Sequence, residues 1–263
     1  MNETELIEIS EFIYLLADSA KKITMTGFNS SHQVIGKEDG SPVTQYDINA
    51  EKIIIDLIKE KFPNHNIIAE ENESQNNASD YTWIIDPIDG TRSYIIGRPL
   101  WGTLIGLAFK GKPIIGLADF PALDQRWLGY GKRCYLNKND FESRVSTHNN
   151  LSQATVASTS PSLFSDLGKQ KYKKILLNTK YHIWSGDCHN YMLLINGNLD
   201  LVVEEGLALY DIIPLVPILE TQGIKITDWQ GSELSLASNK EGSISVLASN
   251  NKNIYESALS ILR

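Results

Sequence analysis

The chain has 263 residues, 42% hydrophobic and 21% charged, the balance of a globular protein with one large domain or two halves sharing a core. Its net charge of −8 and pI near 5.2 exclude a nucleic-acid backbone as main partner, which would need clustered Lys and Arg. Phosphate ligands stay open, because a bound cation reverses the local sign.

Cys134 and Cys188 are the only cysteines and form no disulfide framework, so a reducing cytoplasm is expected. The acidic start, Glu3 and Glu5, leads into an amphipathic run, so no secretory leader is expected. No apolar run reaches membrane-spanning length. The sequons at Asn29 and Asn72 are idle without a secretory route.

Leu6, Ile9, Ile13, Leu16, Ala20 and Ile23 recur at steps of three and four and predict a helix with one buried stripe. Gly27 to Ser41 reads as a loop or hairpin. Thr44 then predicts an N-cap, with Asp47 completing a shortened capping box. The second helix runs to about Phe62.

Strands are predicted at Asn66–Ala69, Thr82–Ile85, Gly102–Phe109, Pro113–Phe120 and Arg126–Gly129. Lys110-Gly111-Lys112 fits a hairpin connection, so this sheet is expected to be antiparallel. After about residue 130 the pattern changes. Strands at Thr155–Ser158, Leu199–Glu204, Lys225–Thr227 and Ser243–Leu247 alternate with helices near 161–173, 188–196, 211–222 and 252–262. The chain thus divides into an N-terminal α+β half, 1–130, and a C-terminal α/β half, 131–263. No linker separates them, so they are expected to pack as one unit.

The strongest chemical feature is Trp83-Ile84-Ile85-Asp86-Pro87-Ile88-Asp89-Gly90-Thr91. An apolar strand ends in two carboxylates three apart, with Pro and Gly forcing a turn. Such a turn can aim both carboxylates and a carbonyl at one hard cation, and its free N–H groups can receive a phosphate. By itself the hexapeptide is equally an Asp-rich corner. Glu70-Glu71 ends the preceding strand, Asp47 opens the second helix, and Asp211 opens a later one. Each also has a plain reading, as helix-dipole partner or solvated strand end. No Walker loop, His-Glu-x-x-His or Cys-x-x-Cys offers another chemistry.

Ser41-Pro42-Val43-Thr44-x-x-Asp47, Ala69-Glu70-Glu71, the Trp83–Thr91 run and Tyr210-Asp211 together resemble the inositol monophosphatase family, over nearly the whole chain. The resemblance implies an α+β fold, a five-layered α/β/α/β/α sandwich assembled as a homodimer. Its activity would be Mg²⁺-dependent hydrolysis of small phosphate monoesters, with two or three ions per site. The implied metal ligands are Glu70, Asp86, the carbonyl of Ile88, Asp89 and Asp211. Asp47 and Thr91 would orient the attacking water and, with Glu70, make up the catalytic set. Gly90 and Thr91 would hold the phosphate. A scaffold retired to a binding role would lack one of the acids; all are present.

Ser185-Gly186-Asp187-Cys188, Arg92, Trp101–Leu107 and Ile226–Gly231 resemble the histidinol-phosphate phosphatase branch. L-histidinol phosphate carries an ammonium and an imidazole, which Asp187 and Glu204 can pair with, beside Asp89 and Asp211. Asp187 is also readable as the N-cap of the 188–196 helix. His189 and Cys188 are read as packing residues. His189, Tyr255 and Lys138 depart from the branch's pattern. Inositol 1-phosphate, or another sugar or nucleotide monophosphate, is the alternative substrate.

Overall fold

The computed structural model describes residues 3–30, 34–37, 40, 42–72, 74–144, 146–238 and 243–263. Ser41 of the Ser-Pro-Val-Thr motif lies outside them. The N-terminal half holds helix α1 (Glu3–Phe28), hairpin β1 (Val34–Gly36) and β2 (Pro42–Thr44), and helix α2 (Gln45–Lys61). Next come β3 (Asn66–Ala69), β4 (Tyr81–Asp89), α3 (Thr91–Ile95), β5 (Gly102–Phe109), β6 (Lys112–Phe120), β7 (Gln125–Tyr130), β8 (Arg133–Leu136) and β9 (Asn139–Asp140). The C-terminal half holds β10 (Thr155–Ser158), α4 (Asp166–Asn178), β11 (Tyr181–Trp184), α5 (His189–Ile195) and β12 (Leu201–Leu207). It ends with α6 (Leu209–Ile212), α7 (Val216–Glu220), β13 (Lys225–Thr227), β14 (Ile244–Ser249) and α8 (Lys252–Leu262).

Strand periodicity builds the layers. In the seven-stranded sheet β3-β4-β5-β6-β7-β8-β9, alternate residues point to opposite faces. Trp83, Ile85, Ile105, Leu107, Ile115 and Leu117 pack with Ile13, Leu16, Ile54 and Ile58 of α1 and α2. Ile84, Leu104, Ala118 and Phe120 face the other way, onto Met192 and Leu194 of α5 and the Ile212–Leu219 stretch. That middle layer also meets Val202 and Val246 of the five-stranded sheet β11-β10-β12-β14-β13. The far side of this second sheet packs on Tyr172 and Ile175 of α4 and Ile254 and Ala258 of α8. The result is the five-layered α/β/α/β/α sandwich.

Four details differ from the sequence expectations. The first sheet is antiparallel from β4 to β9, but β3 pairs parallel with β4. It also runs on through β8 and β9 to Asp140, past the boundary placed at 130. The helix expected over 211–222 is broken into α6, a 3₁₀ turn (Ile213–Leu215) and α7, because Pro214 and Pro217 each start a new turn. The helix expected over 161–173 begins later, at Asp166, where Ser165 caps the N–H of Gly168 and Pro161 opens a separate turn.

Two of these features place the site. The parallel register Ala69↔Ile85 ends β3 beside Ile85 of β4, so Glu70 comes level with Asp86. Gly106, Gly116 and Gly129 lie in register across β5, β6 and β7. A Cβ on Gly116 would stand 1.8 Å from the Pro214 carbonyl oxygen. This bare stripe seats the broken helix flat on the sheet and brings Asp211 to its edge.

Candidate active site

The β4 turn is shaped by its own polar groups. The register with β5 slips between Asp86 and Asp89. Asp86 Oδ1 accepts the Ile88 N–H at 3.0 Å, Thr103 Oγ1 donates to the Pro87 carbonyl at 2.8 Å, and Thr91 Oγ1 donates to the Ile88 carbonyl at 3.1 Å. Gly90 closes the turn at φ +83°.

Each neighbouring acid is likewise fixed by a backbone N–H. Asp89 Oδ2 accepts that of Cys188 at 2.7 Å, and Asp211 Oδ2 that of Ala208 at 2.7 Å. As a result, carboxylate oxygens of Asp86, Asp89 and Asp211 lie within 4.8 Å of one another. Two unit charges at that separation repel by roughly 3 kcal/mol at an effective dielectric near 20. Burial, then repulsion from Glu70, Asp89 and Asp211, pushes Asp86 well above the usual carboxylate range, and burial with Asp187 and Asp211 does the same to Asp89. Burial and Asp187 push Asp211 up to about 6. Burial, then Glu71, raises Glu70 to about 7, against the pull of Lys37. The Lys37 ammonium lies 2.9 Å from Glu70 Oε1 and 2.6 Å from Glu71 Oε1. One lysine leaves the aspartate cluster uncompensated. An all-oxygen, negatively charged donor set of this size fits a hard divalent cation such as Mg²⁺.

Asp47 is fully buried and does not line the cleft. Its Oδ2 completes the expected capping box, accepting from Thr44 N at 2.9 Å and from the Thr44 hydroxyl. Its Oδ1 is buried without a hydrogen-bond partner. No hydrogen bond joins Asp47 to Thr91 among the described residues.

Glu51 was not anticipated. Fully buried on α2, it accepts the N–H groups of Glu70 (2.7 Å), Glu71 (3.1 Å) and Asn72 (2.7 Å), plus Asn72 Nδ2 (2.7 Å). It therefore holds the segment that carries Glu70. Its spacing of four from Asp47 puts both acids on one helix face, a signal the sequence did contain. Glu51→Ala would strand three half-buried N–H groups, so a loss of about 2 kcal/mol or more is expected in urea unfolding. Glu51→Gln, which keeps an acceptor oxygen, should lose less.

The opposite wall comes from the carboxyl ends of the parallel strands β11, β10 and β12. A cleft of about 640 Å³ opens between them and the β4 turn, lined by Glu70, Asp89, Thr91, Asp187, Glu204 and Asp211 among others. Asp187 Oδ2 accepts the Ser93 hydroxyl at 3.2 Å, and burial raises its pKa. It caps nothing: α5 starts after Cys188 without a side-chain cap, which corrects the N-cap reading. Glu204 is only 1% exposed, and its carboxylate accepts Thr159 N (2.7 Å), Thr159 Oγ1 (2.9 Å) and Ser158 Oγ (3.2 Å). Burial pushes it to about 8. His189 is buried edge-on to Phe120, and Cys188 is buried with its thiol pushed far up by desolvation; both are packing residues.

A profile of the inositol monophosphatase family matches residues 5–263. The chain is 38% identical over 268 residues to the bifunctional phosphatase IMPL2 of Arabidopsis thaliana, named as chloroplastic, covering 100% of this chain and 77% of that one. It is 31% identical to a histidinol-phosphatase of Chlorobaculum parvum, covering 83% of this chain and 85% of that one. Among solved structures, an inositol monophosphatase from Zymomonas mobilis superposes with a TM-score of 0.86 at 35% identity, covering 100% of this chain and 99% of that chain. With fold, acidic cluster and sequence in agreement, the chain belongs to the inositol monophosphatase family of phosphatases.

Proposed function

We propose that this protein is a Mg²⁺-dependent phosphomonoesterase that hydrolyses L-histidinol phosphate to L-histidinol and phosphate. The observation that carries the substrate choice is Asp187, a half-buried carboxylate in the cleft wall joined to the metal cluster through the adjacent Cys188 N–H. An acid there suits an ammonium-bearing ester; a neutral polyol needs no counter-charge. Glu204 faces the same cleft, and Asp89 and Asp211 border it.

In this reading Glu70, Asp86, Asp89, Asp211 and the Ile88 carbonyl hold two or three Mg²⁺ ions. Bound Mg²⁺ supplies Lewis acidity toward the phosphate oxygens and acidifies water. Asp47 and Thr91 Oγ1 would orient the attacking water, Asp47 from behind the cleft wall through Oδ1, a buried acceptor without a partner. The Gly90 and Thr91 N–H groups receive the phosphate at the turn. Glu51 keeps Glu70 in reach throughout.

A second reading, inositol 1-phosphate as substrate, is favoured by the 35% identity to the Zymomonas protein across the whole chain. The two separate in one assay. L-histidinol phosphate should be hydrolysed at least about tenfold faster by kcat/KM, and Asp187→Ala should erase most of that advantage. Equal rates, or a preference for inositol 1-phosphate, would reverse the assignment.

The same proposal takes the protein to be a cytoplasmic homodimer acting on a small molecule, not on nucleic acid or membrane. Two free cysteines suit a reducing compartment. No helix among the described residues is long and apolar enough to cross a membrane. The open edge strand β11 exposes Tyr181 (57%), Ile183 (44%) and Trp184 (51%), a surface suited to a second copy. Sedimentation at micromolar concentration should give twice the 29.4 kDa chain mass; a monomer would refute the dimer.

A further inference from the structure

The turn Ser185-Gly186-Asp187 holds positive φ at three successive residues, +75°, +115° and +45°. Only glycine enters that region freely, so Ser185 and Asp187 stay there because their neighbours hold them. Gly186 itself is irreplaceable in this pose: a Cβ would stand 2.4 Å from Asn190 Oδ1. From its own half the turn is tied at the backbone. Ser185 N donates to the carbonyls of Ser158 (3.1 Å) and Thr159 (2.9 Å), and His189 N donates to the Gly186 carbonyl (2.8 Å). Asn190 Nδ2 donates to the Ser185 carbonyl at 3.1 Å.

The N-terminal half grips the same turn from across the cleft. Ser93 Oγ donates to Asp187 Oδ2, and Arg98 Nη1 donates to Ser185 Oγ. Ser93 and Arg98 are themselves linked, because the Arg98 N–H donates to the Ser93 carbonyl at 2.9 Å where α3 ends. One short segment therefore clamps both ends of a strained three-residue turn. Arg98 hydrogen-bonds the Ser185 end, while Asp187 feels Arg92 and Arg98 only as nearby charges and keeps its second carboxylate oxygen for a ligand.

We propose that Arg98 is a positioning residue: by holding Ser185 it keeps the left-handed turn that presents Asp187 to the cleft. The consequence for selectivity rests on the reading that Asp187 receives the substrate's ammonium. Arg98's own charge repels that ammonium, so any selectivity it adds must come through the turn that carries Asp187.

Three linked measurements test it. In Arg98→Ala, amide hydrogen exchange of the 185–191 segment should rise about tenfold, with no substrate involved. The ratio of kcat/KM for L-histidinol phosphate over inositol 1-phosphate should fall about tenfold, mostly through KM, and Arg98→Lys should recover much of it. In a double-mutant cycle, Arg98→Ala with Asp187→Ala should lose no more selectivity than Asp187→Ala alone, within about twofold. Unchanged exchange in Arg98→Ala overturns the proposal, as do additive losses in the cycle or equal loss on both esters. A loosened turn in Arg98→Ala, with no ester preference in the wild type, supports the clamp and sinks the histidinol phosphate reading instead.

Discussion

Asp89→Asn is expected to lower phosphate release by about 10³-fold or more while the protein stays folded. Asparagine keeps an acceptor oxygen for the Cys188 N–H, now held at 2.7 Å, so the bond that joins the two walls survives. What is lost is one charge of the Asp86–Asp89–Asp211 cluster. That charge is costly without a cation, because burial and the neighbouring acids disfavour ionised Asp89. The metal-free variant should therefore melt above the metal-free wild type near pH 8, and added Mg²⁺ should shift it little. Retained turnover would remove Asp89 from the metal site. Lost turnover with an unchanged Mg²⁺ shift would show that the Asp89 charge serves the reaction without holding the ion.

The second expected result concerns pH. Asp211, Glu70 and Glu204 are raised to about 6, 7 and 8. Ordinary carboxyls, as in the unfolded chain, titrate near 4. A group whose folded pKa is raised binds more protons folded than unfolded. Its stabilising contribution is complete below about pH 4 and is lost as pH climbs through the folded value. In chelator, stability should accordingly fall by roughly 4 kcal/mol from pH 6 to 8.5. Saturating Mg²⁺ should offset most of the cluster's share, since ligands must be deprotonated to bind it. At a Mg²⁺ concentration about 100-fold above Kd the gain is about 2.7 kcal/mol, or about 5–10 °C in Tm, and it should grow with pH. The Glu204 share should persist with Mg²⁺, because its carboxylate serves Thr159 and Ser158. A Mg²⁺ shift that shrinks with rising pH would contradict the proposed ligand set.

How much of this was legible in sequence depends on how local each signal is. The boundaries of β5 and α8, and the Thr44–Asp47 capping box, follow from nearby side chains. So does the Asp86–Thr91 turn, whose shape comes from Pro87, Gly90 and bonds within a few residues. The parallel β3–β4 pairing is a tertiary choice with no mark in either strand, yet it is what sets Glu70 beside Asp86. The β8–β9 hairpin was hidden for a different reason. Asn137 and Lys138 turn at φ +51° and +65°, a geometry usually announced by Asn-Gly, and lysine disguises it. β11 is a short edge strand with exposed aromatics and too few residues to show a period. Glu51 and Arg98 act through groups far off in sequence, on Asn72 and Ser185, so only the fold reveals them.

The proposed metal site places Asp86, Asp89, Asp211 and Glu70 around the catalytic cation. Anomalous diffraction from Mn²⁺-soaked crystals of active protein tests it most directly. At least one strong peak is expected about 2.0–2.5 Å from carboxylate oxygens of this set, adjoining the Ile88 carbonyl. Fully active protein whose Mn²⁺ peaks all lie away from these carboxylates would contradict it.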